Sequence, residues 1–399
     1  MIKKILPFLI ILLAYTSCIE QIDIKETTFE KLLVVEATLT NQLKIQTVKL
    51  SNTIELNSET PISETNAVVT ITDSDQIIYN FTETSDGFYQ SASPFKAELN
   101  KTYTLSINTS NGKTYESTPQ KIEGTNEINE VFTKIETKIN GDEGVGIFVK
   151  SNNTNNDAKY YRYTYKETYK ITAPQWSEYR LQIVSDRPPY AVAKILHNED
   201  RKICYNTITS KDIIQAESAS LSENNIEKSV RFIPKNDAVI TSRYSILIEQ
   251  HVQSFEAYTY FNTLSKLSSS ENVFTQNQPG FIPGNMYSKS NQEDKIVGFF
   301  EVTSVSSKRF FFNRDDIFPD QSIETPDYCQ LIAPLLSERV DGSISSPLIE
   351  QLKRGSSYLY YADNPSPTDL YKGEYLLTPK KCGDCRELGT TAKPSFWVD

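Results

Sequence analysis

The sequence predicts a mainly β protein, and three observations carry that reading. First, β-branched and aromatic residues dominate: Tyr 23 and Phe 19 stand against only Gly 14 in 399 residues. Such side chains suit pleated, half-buried surfaces. Second, short alternating apolar runs recur between turn dipeptides such as Asp86-Gly87, Asn111-Gly112 and Asn140-Gly141, the strongest short-range hairpin signals. Third, only one stretch shows clear helical spacing, near residues 254–268.

The chain opens with a basic pair, Lys3 and Lys4, and an apolar run over residues 5–15 that is too short to span a bilayer as a stable helix. Tyr15-Thr16-Ser17-Cys18 follows and resembles a bacterial lipobox. The resemblance implies cleavage between Ser17 and Cys18 and lipidation of Cys18. Residues 1–17 are then a signal peptide, and the protein is expected at the outer membrane on a lipid anchor. An ordinary secretory signal or a short membrane anchor are the alternatives. Residues 18–30 form a tether made acidic by Glu20, Asp23 and Glu26. Acidic residues there resemble the signal that sends Bacteroidota lipoproteins to the cell surface.

Residues 31–125 read as an N-terminal β-sandwich. Leu32-Leu33-Val34-Val35-Glu36-Ala37 has the composition of a buried strand, and Gln46-Thr47-Val48-Lys49-Leu50 alternates. Ala67-Val68-Val69-Thr70-Ile71-Thr72-Asp73 is a strand ending in a turn, and Lys101-Thr102-Tyr103-Thr104-Leu105-Ser106-Ile107 alternates between core and water. Short strands at this spacing resemble an immunoglobulin-like or transthyretin-like module.

Residues 126–399 read as a larger β-rich region with a Cys-containing tail. A hairpin turns at Asn140-Gly141, between residues 131–139 and 145–149. Residues 160–171 form a tyrosine-rich strand that puts Tyr161, Tyr163 and Tyr165 on one face. Cross-strand aromatic packing is favoured there over a sugar-binding platform. Residues 198–214 and 219–226 are polar and read as loops. Residues 242–253 read as a strand, after which Ser254 can cap a helix carrying Ala257, Tyr258, Phe261 and Leu264. Residues 276–285 read as an ordered loop. Residues 296–305 and 308–312 read as a hairpin, and 376–399 as an irregular tail.

The formal charge is −10, and loss of Lys3 and Lys4 takes it to −12. With no basic cluster, nucleic-acid binding is not expected. Setting Cys18 aside leaves Cys204, Cys329, Cys382 and Cys385, an even number that suggests disulfides in an exported chain. Four cysteines allow three connectivities, and a metal site or free thiols are the other readings. Cys382-Gly383-Asp384-Cys385 lacks the βαβ context of a redox pair.

Only His197 and His251 can serve as imidazole bases or ligands, and no zincin, nucleophile-elbow, Walker or dinucleotide motif is present. Asp315, Asp316 and Asp320 read as surface charge, and the oxygen-rich segment 152–157 as a hydrophilic loop rather than a calcium site. Phe310-Phe311-Phe312 beside Arg309 reads as strand core before interface patch. No catalytic residue, metal or cofactor is expected.

Taken in order, several stretches resemble the Bacteroidota lipoprotein family catalogued as domain of unknown function 4249. They are Leu33-Val34-Val35-Glu36, Ala67-Val68-Val69-Thr70-Ile71-Thr72, Gly112-Lys113-Thr114-Tyr115, the helix at Ala257-Tyr258, and Pro283-Gly284-Asn285-Met286. Val297-Gly298-Phe299-Phe300, Lys308-Arg309-Phe310, Cys382-Gly383-Asp384-Cys385-Arg386 and Lys393-Pro394-Ser395-Phe396-Trp397 complete the series. Tyr205 stands where the family pattern leads one to expect tryptophan. The resemblance implies no assigned chemistry. It implies a TonB-dependent outer-membrane β-barrel as partner, by analogy with starch-utilisation lipoproteins and their transporters. The expected role is a non-enzymatic accessory or binding subunit of unknown ligand. An envelope scaffold or assembly factor and a carboxylate-dependent hydrolase are the alternatives.

Overall fold

The computed structural model describes residues 31–54, 60–154, 157–221, 223–268, 281–319, 321, 325–353, 357–368 and 370–399. The lipobox, Cys18 and the acidic tether lie outside them.

Nine strands come first: β1 (Leu33–Thr40), β2 (Thr47–Asn52), β3 (Ile62–Ser63), β4 (Val68–Asp73), β5 (Ile78–Ser85), β6 (Phe88–Ser91), β7 (Thr102–Asn108), β8 (Thr114–Ser117) and β9 (Gln120–Lys121). Alternation sets their inner face. Leu33, Val35, Ala37 and Leu39 of β1 are buried, while Glu36 between them is exposed. Gly87 and Gly112 have φ of +75° and +82°, as the tight turns after β5 and β7 require.

The next elements are β10 (Ile128–Thr137), β11 (Glu143–Asn152), β12 (Tyr160–Thr172), β13 (Tyr179–Ser185), β14 (Ala191–Leu196), β15 (Ile203–Thr209), β16 (Ile214–Glu217), β17 (Asn225–Pro234), β18 (Arg243–Gln253) and helix α1 (Phe255–Ser268). β10 and β11 form the expected hairpin, with Gly141 at φ +89°. β15 and the start of β17 occupy segments expected as loops, and β16 falls almost wholly between those two segments. They pair at sheet margins, so their outward residues are polar and the apolar signal is halved. Ser254 caps α1 as anticipated, its Oγ accepting from the N–H of Ala257 at 3.1 Å.

Then come β19 (Met286–Ser288), β20 (Ile296–Thr303) and β21 (Val305–Asn313). Here the structure corrects the expected hairpin at 296–312. Only Ser304 separates β20 from β21, and the two enter different sheets. β20 pairs parallel with β1 over eight positions, from Leu33↔Ile296 to Thr40↔Thr303, whereas β21 pairs antiparallel with β18. A parallel strand covered on both faces reads as an apolar run, which explains Ile296-Val297-Gly298-Phe299-Phe300. Residues 286–303 thus join the N-terminal sheet, although in sequence they fall well beyond residue 125.

That sheet runs β19-β8-β7-β4-β5-β6-β2-β1-β20. One core fills it, with Leu50, Tyr89, Leu105, Ile107 and Phe300 at its centre. The layers of the sandwich are therefore halves of a single rolled sheet. Its two edges meet at Asn285. The Asn285 amide donates to the carbonyl of Phe300 and its Oδ1 accepts from the N–H of Phe300, each at 2.8 Å.

A second core lies between the sheet β10-β11-β17 and the sheet β15-β12-β18-β21, to which β16 adds beside β12. Tyr161, Tyr163 and Tyr165 all face it, with Val145, Ile147, Tyr244 and Ile246. The tyrosines are therefore core residues, but their partners across β18 are Val252, Gln250 and Ile248 rather than the aromatic residues expected. The remaining elements are α2 (Arg314–Ile317), β22 (Glu338–Val340), β23 (Ser343–Ser345), α3 (Pro347–Lys353), β24 (Tyr358–Asp363), β25 (Tyr375–Pro379) and α4 (Lys380–Gly383). A smaller core of Leu181, Leu348, Tyr360 and Leu377 holds β13, α3, β24 and β25 together. The segment expected as an irregular tail thus contributes a strand and a helical turn. The chain is mainly β throughout, with a few short helices.

Candidate functional site

The outer face of the rolled sheet meets the outer face of β12, and a cleft of about 830 Å³ opens between them. Period two places its residues. On β1, Glu36 and Thr38 point away from the core that Val35 and Ala37 enter, and Thr47 and Lys49 do the same on β2. On β12, Arg162 and Thr164 alternate with the buried tyrosines and so face the cleft. The β15–β16 loop adds Ser210, Lys211 and Asp212, the β1–β2 loop adds Lys44 and Ile45, and α1 adds Tyr260, Phe261 and Leu264.

Arg162 organises the deep end. Its Nη2 donates to Oε2 of Glu301, which is almost fully buried on β20. Gln253 on β18 donates to the other oxygen of Glu301 at 2.9 Å, and Gln215 donates to Gln253 at 2.8 Å. The guanidinium carbon of Arg162 lies 4.9 Å from the ring centre of Phe261. Its Nε is buried without a hydrogen-bond partner among the described residues. Phe299 receives α1, its ring 5.5 Å from that of Tyr260. Nearer the mouth, Lys49 pairs with Glu36 at 2.6 Å.

His251 sits opposite Arg162 in the β12–β18 register. Its Nε2 lies 3.3 Å from Oγ1 of Thr164 and its Nδ1 has no partner among the described residues. Burial, then the positive charges of Arg162 and Lys44, hold its pKa well below the usual histidine value. It is buried beside the cleft-lining Thr164 and is not itself among the lining residues. His197 is also lowered, by burial and then by Arg201 and Arg180. His197 lies just past β14 and His251 lies within β18.

The four cysteines form two disulfides, Cys204–Cys385 and Cys329–Cys382. The C-x-x-C pair is therefore divided between two bridges. Cys204 on β15 ties the tail to the five-stranded sheet, and Trp397 packs on Tyr205 and Phe311 of the same sheet, with ring centres 5.0 and 5.9 Å away. Phe312 packs on Tyr244 in the core, so the phenylalanine triplet is divided between core and tail.

Of the remaining sequence candidates, Asp316 and Asn153 have structural partners. Asp316 caps α2 through Asn313, and Asn153 donates to the carbonyl of Thr125 and to Asp157. Asp320 lies outside the described residues. No three His, Cys, Asp or Glu side chains converge as a metal site among the described residues. No described helix is long and apolar enough to cross a membrane. Sequence reasoning singled out neither Arg162, Glu301 nor Lys44. The available signal was a charge inside a strand: Arg162 between Tyr161 and Tyr163, and Glu301 after two phenylalanines.

A sequence profile described as a domain of unknown function, DUF4249, matches residues 19–309. This chain belongs to the DUF4249 family. The matched residues include every element that lines the cleft. They end inside β21, so Cys329, Cys382 and Cys385 of this DUF4249 protein lie beyond them. No curated protein matches the chain.

Proposed function

We propose that this DUF4249 protein is a lipid-anchored, non-enzymatic accessory subunit of the outer membrane, exposed at the cell surface and partnered with a TonB-dependent β-barrel transporter. The observation that carries the reading is the Tyr15-Thr16-Ser17-Cys18 lipobox followed by the acidic tether of Glu20, Asp23 and Glu26. A single myristoyl-sized chain anchors only marginally, whereas the several chains of a bacterial lipoprotein hold the body at the membrane. The transporter follows from the family resemblance rather than from any one residue.

The cleft supports a binding role. Its volume falls in the range of small-ligand sites, and its lining mixes aromatic walls with a few fixed polar groups. Of its lining carboxylates, Glu36 is engaged with Lys49, and the lining Arg162 is engaged with the buried Glu301 behind it. That arrangement suits holding a ligand better than trading protons with one. The test is membrane fractionation of the Cys18→Ala variant together with co-purification of the lipidated protein from solubilised outer membranes. Cys18→Ala should release the protein into the soluble fraction. Retention on membranes after signal cleavage would remove the lipoprotein reading.

A further inference from the structure

We infer that the cleft between the rolled sheet and the β12–β18 sheet binds an organic oxyanion carrying an apolar body. This deepens the binding role proposed above and rests on it. Charge is the first argument. The whole chain is acidic at −10, yet the cleft gathers Lys44, Lys49, Lys211 and Arg162 against Glu36, Asp212 and the Glu301 that pairs with Arg162 behind the wall, an excess of one positive charge. Lys49 is matched by Glu36, but among the described residues the ammonium of Lys44 reaches only the neutral amide oxygen of Gln42, at 3.1 Å. The site is locally positive in a negative protein, and low-dielectric walls focus such a field on an anion.

The second argument is hydrogen bonding. Buried donors are nearly always paired. Arg162 lines the cleft and gives Nη2 to Glu301, while its Nε is buried behind the wall without a partner among the described residues. A carboxylate or similar oxyanion is the acceptor that a guanidinium edge takes best. Burial first, and then Arg162 and Lys44, lower the pKa of the neighbouring His251, and the two smaller causes are in line with the same field.

The third argument is shape. Beside the cationic groups stand Ile45, Phe261, Leu264 and Phe299, an apolar flank that a bare inorganic anion would leave uncovered. Ile45 is 40% exposed, so its side chain is available for contact. Head and body are therefore recognised by different sides of one cleft. A free aryl or alkyl acid and the C-terminal carboxylate of a peptide share this chemistry.

The test uses the full lipidated protein in detergent and isothermal titration with 4-phenylbutyrate and N-acetyl-Leu-Phe. Each acid is compared with its neutral amide. At least one acid is expected to bind at one site, about tenfold or more tighter than its amide, which corresponds to about 1.4 kcal/mol. Which acid binds distinguishes the two sources. Lys44→Gln leaves the Arg162–Glu301 pair intact and should weaken binding several-fold with an unchanged circular dichroism spectrum. Arg162→Lys keeps the charge but loses the planar donor edge, and should also weaken it. Equal affinity for acid and amide, no binding of either acid, or full affinity in both variants would overturn the inference. Co-purification of a transporter does not depend on this ligand, so that result separates failure here from failure of the accessory role.

Discussion

Asn285 and Phe300 exchange two hydrogen bonds of 2.8 Å, side-chain amide to backbone in both directions. One asparagine thereby does at the seam of the rolled sheet what a ladder pair does elsewhere. Beside it, a Cβ on Gly284 would come within 1.6 Å of the carbonyl oxygen of Gly298, so the two backbones touch. Asn285→Leu would leave the buried N–H and C=O of Phe300 unpaired, at about 1–3 kcal/mol for each group. We expect a loss of about 3 kcal/mol in urea unfolding. An unchanged midpoint would show that the edges close without this residue.

Arg162 and Glu301 tie the second body to the first. The Arg162 side chain is 14% exposed and that of Glu301 2%. Removing one partner of such a pair strands a buried charge and costs about 3–5 kcal/mol. Arg162→Met should therefore destabilise strongly, and adding Glu301→Leu should recover much of the loss. A double variant no better than the single would show that the pair is not the main contact between these two side chains.

The disulfides are a covalent clamp on the last third of the chain. They close 181 residues for Cys204–Cys385 and 53 for Cys329–Cys382. The chain-entropy relation gives about 5 and about 4 kcal/mol for loops of these lengths, upper figures in practice. Intact mass after alkylation without reductant should show none of these four cysteines labelled. Reduction followed by alkylation should lower the melting temperature. Four labels without reductant would contradict both bridges.

His251 makes stability depend on pH. Its pKa in the folded state lies well below the ordinary 6.5, because burial and the charges of Arg162 and Lys44 oppose protonation. As pH falls through about 6.5 the unfolded chain takes up a proton there that the folded chain refuses. Stability therefore falls with falling pH, by up to about 1.4 kcal/mol per unit. His251→Gln should flatten this slope between about pH 6.5 and 5. A slope equal to that of the unaltered protein would assign it to other groups.

The legible features were local ones. Asp86-Gly87, Asn111-Gly112 and Asn140-Gly141 announce their hairpins because each turn needs a positive φ that glycine supplies cheaply. The tyrosine strand is legible because alternation alone sends Tyr161, Tyr163 and Tyr165 to one face. Helix α1 shows both its Ser254 cap and its apolar stripe. The parallel pairing of β1 with β20 is not legible, since nothing in either strand names a partner so distant in sequence. β15 and β16 were missed because marginal strands bury little. The cleft was missed for the first reason: Lys44, Arg162 and Phe261 meet only after five separate elements have packed. Cysteine pairing was open to three connectivities and is decided by where β15 and the tail come together.

The central claim is an accessory subunit at the outer membrane, and its most direct test is affinity capture of the tagged, lipidated protein from detergent-solubilised outer membranes, read by mass spectrometry. The account predicts a TonB-dependent β-barrel recovered in stoichiometric amount, and its loss from the capture in the Cys18→Ala variant. Recovery of an assembly machine instead, or of no partner at all, would contradict it.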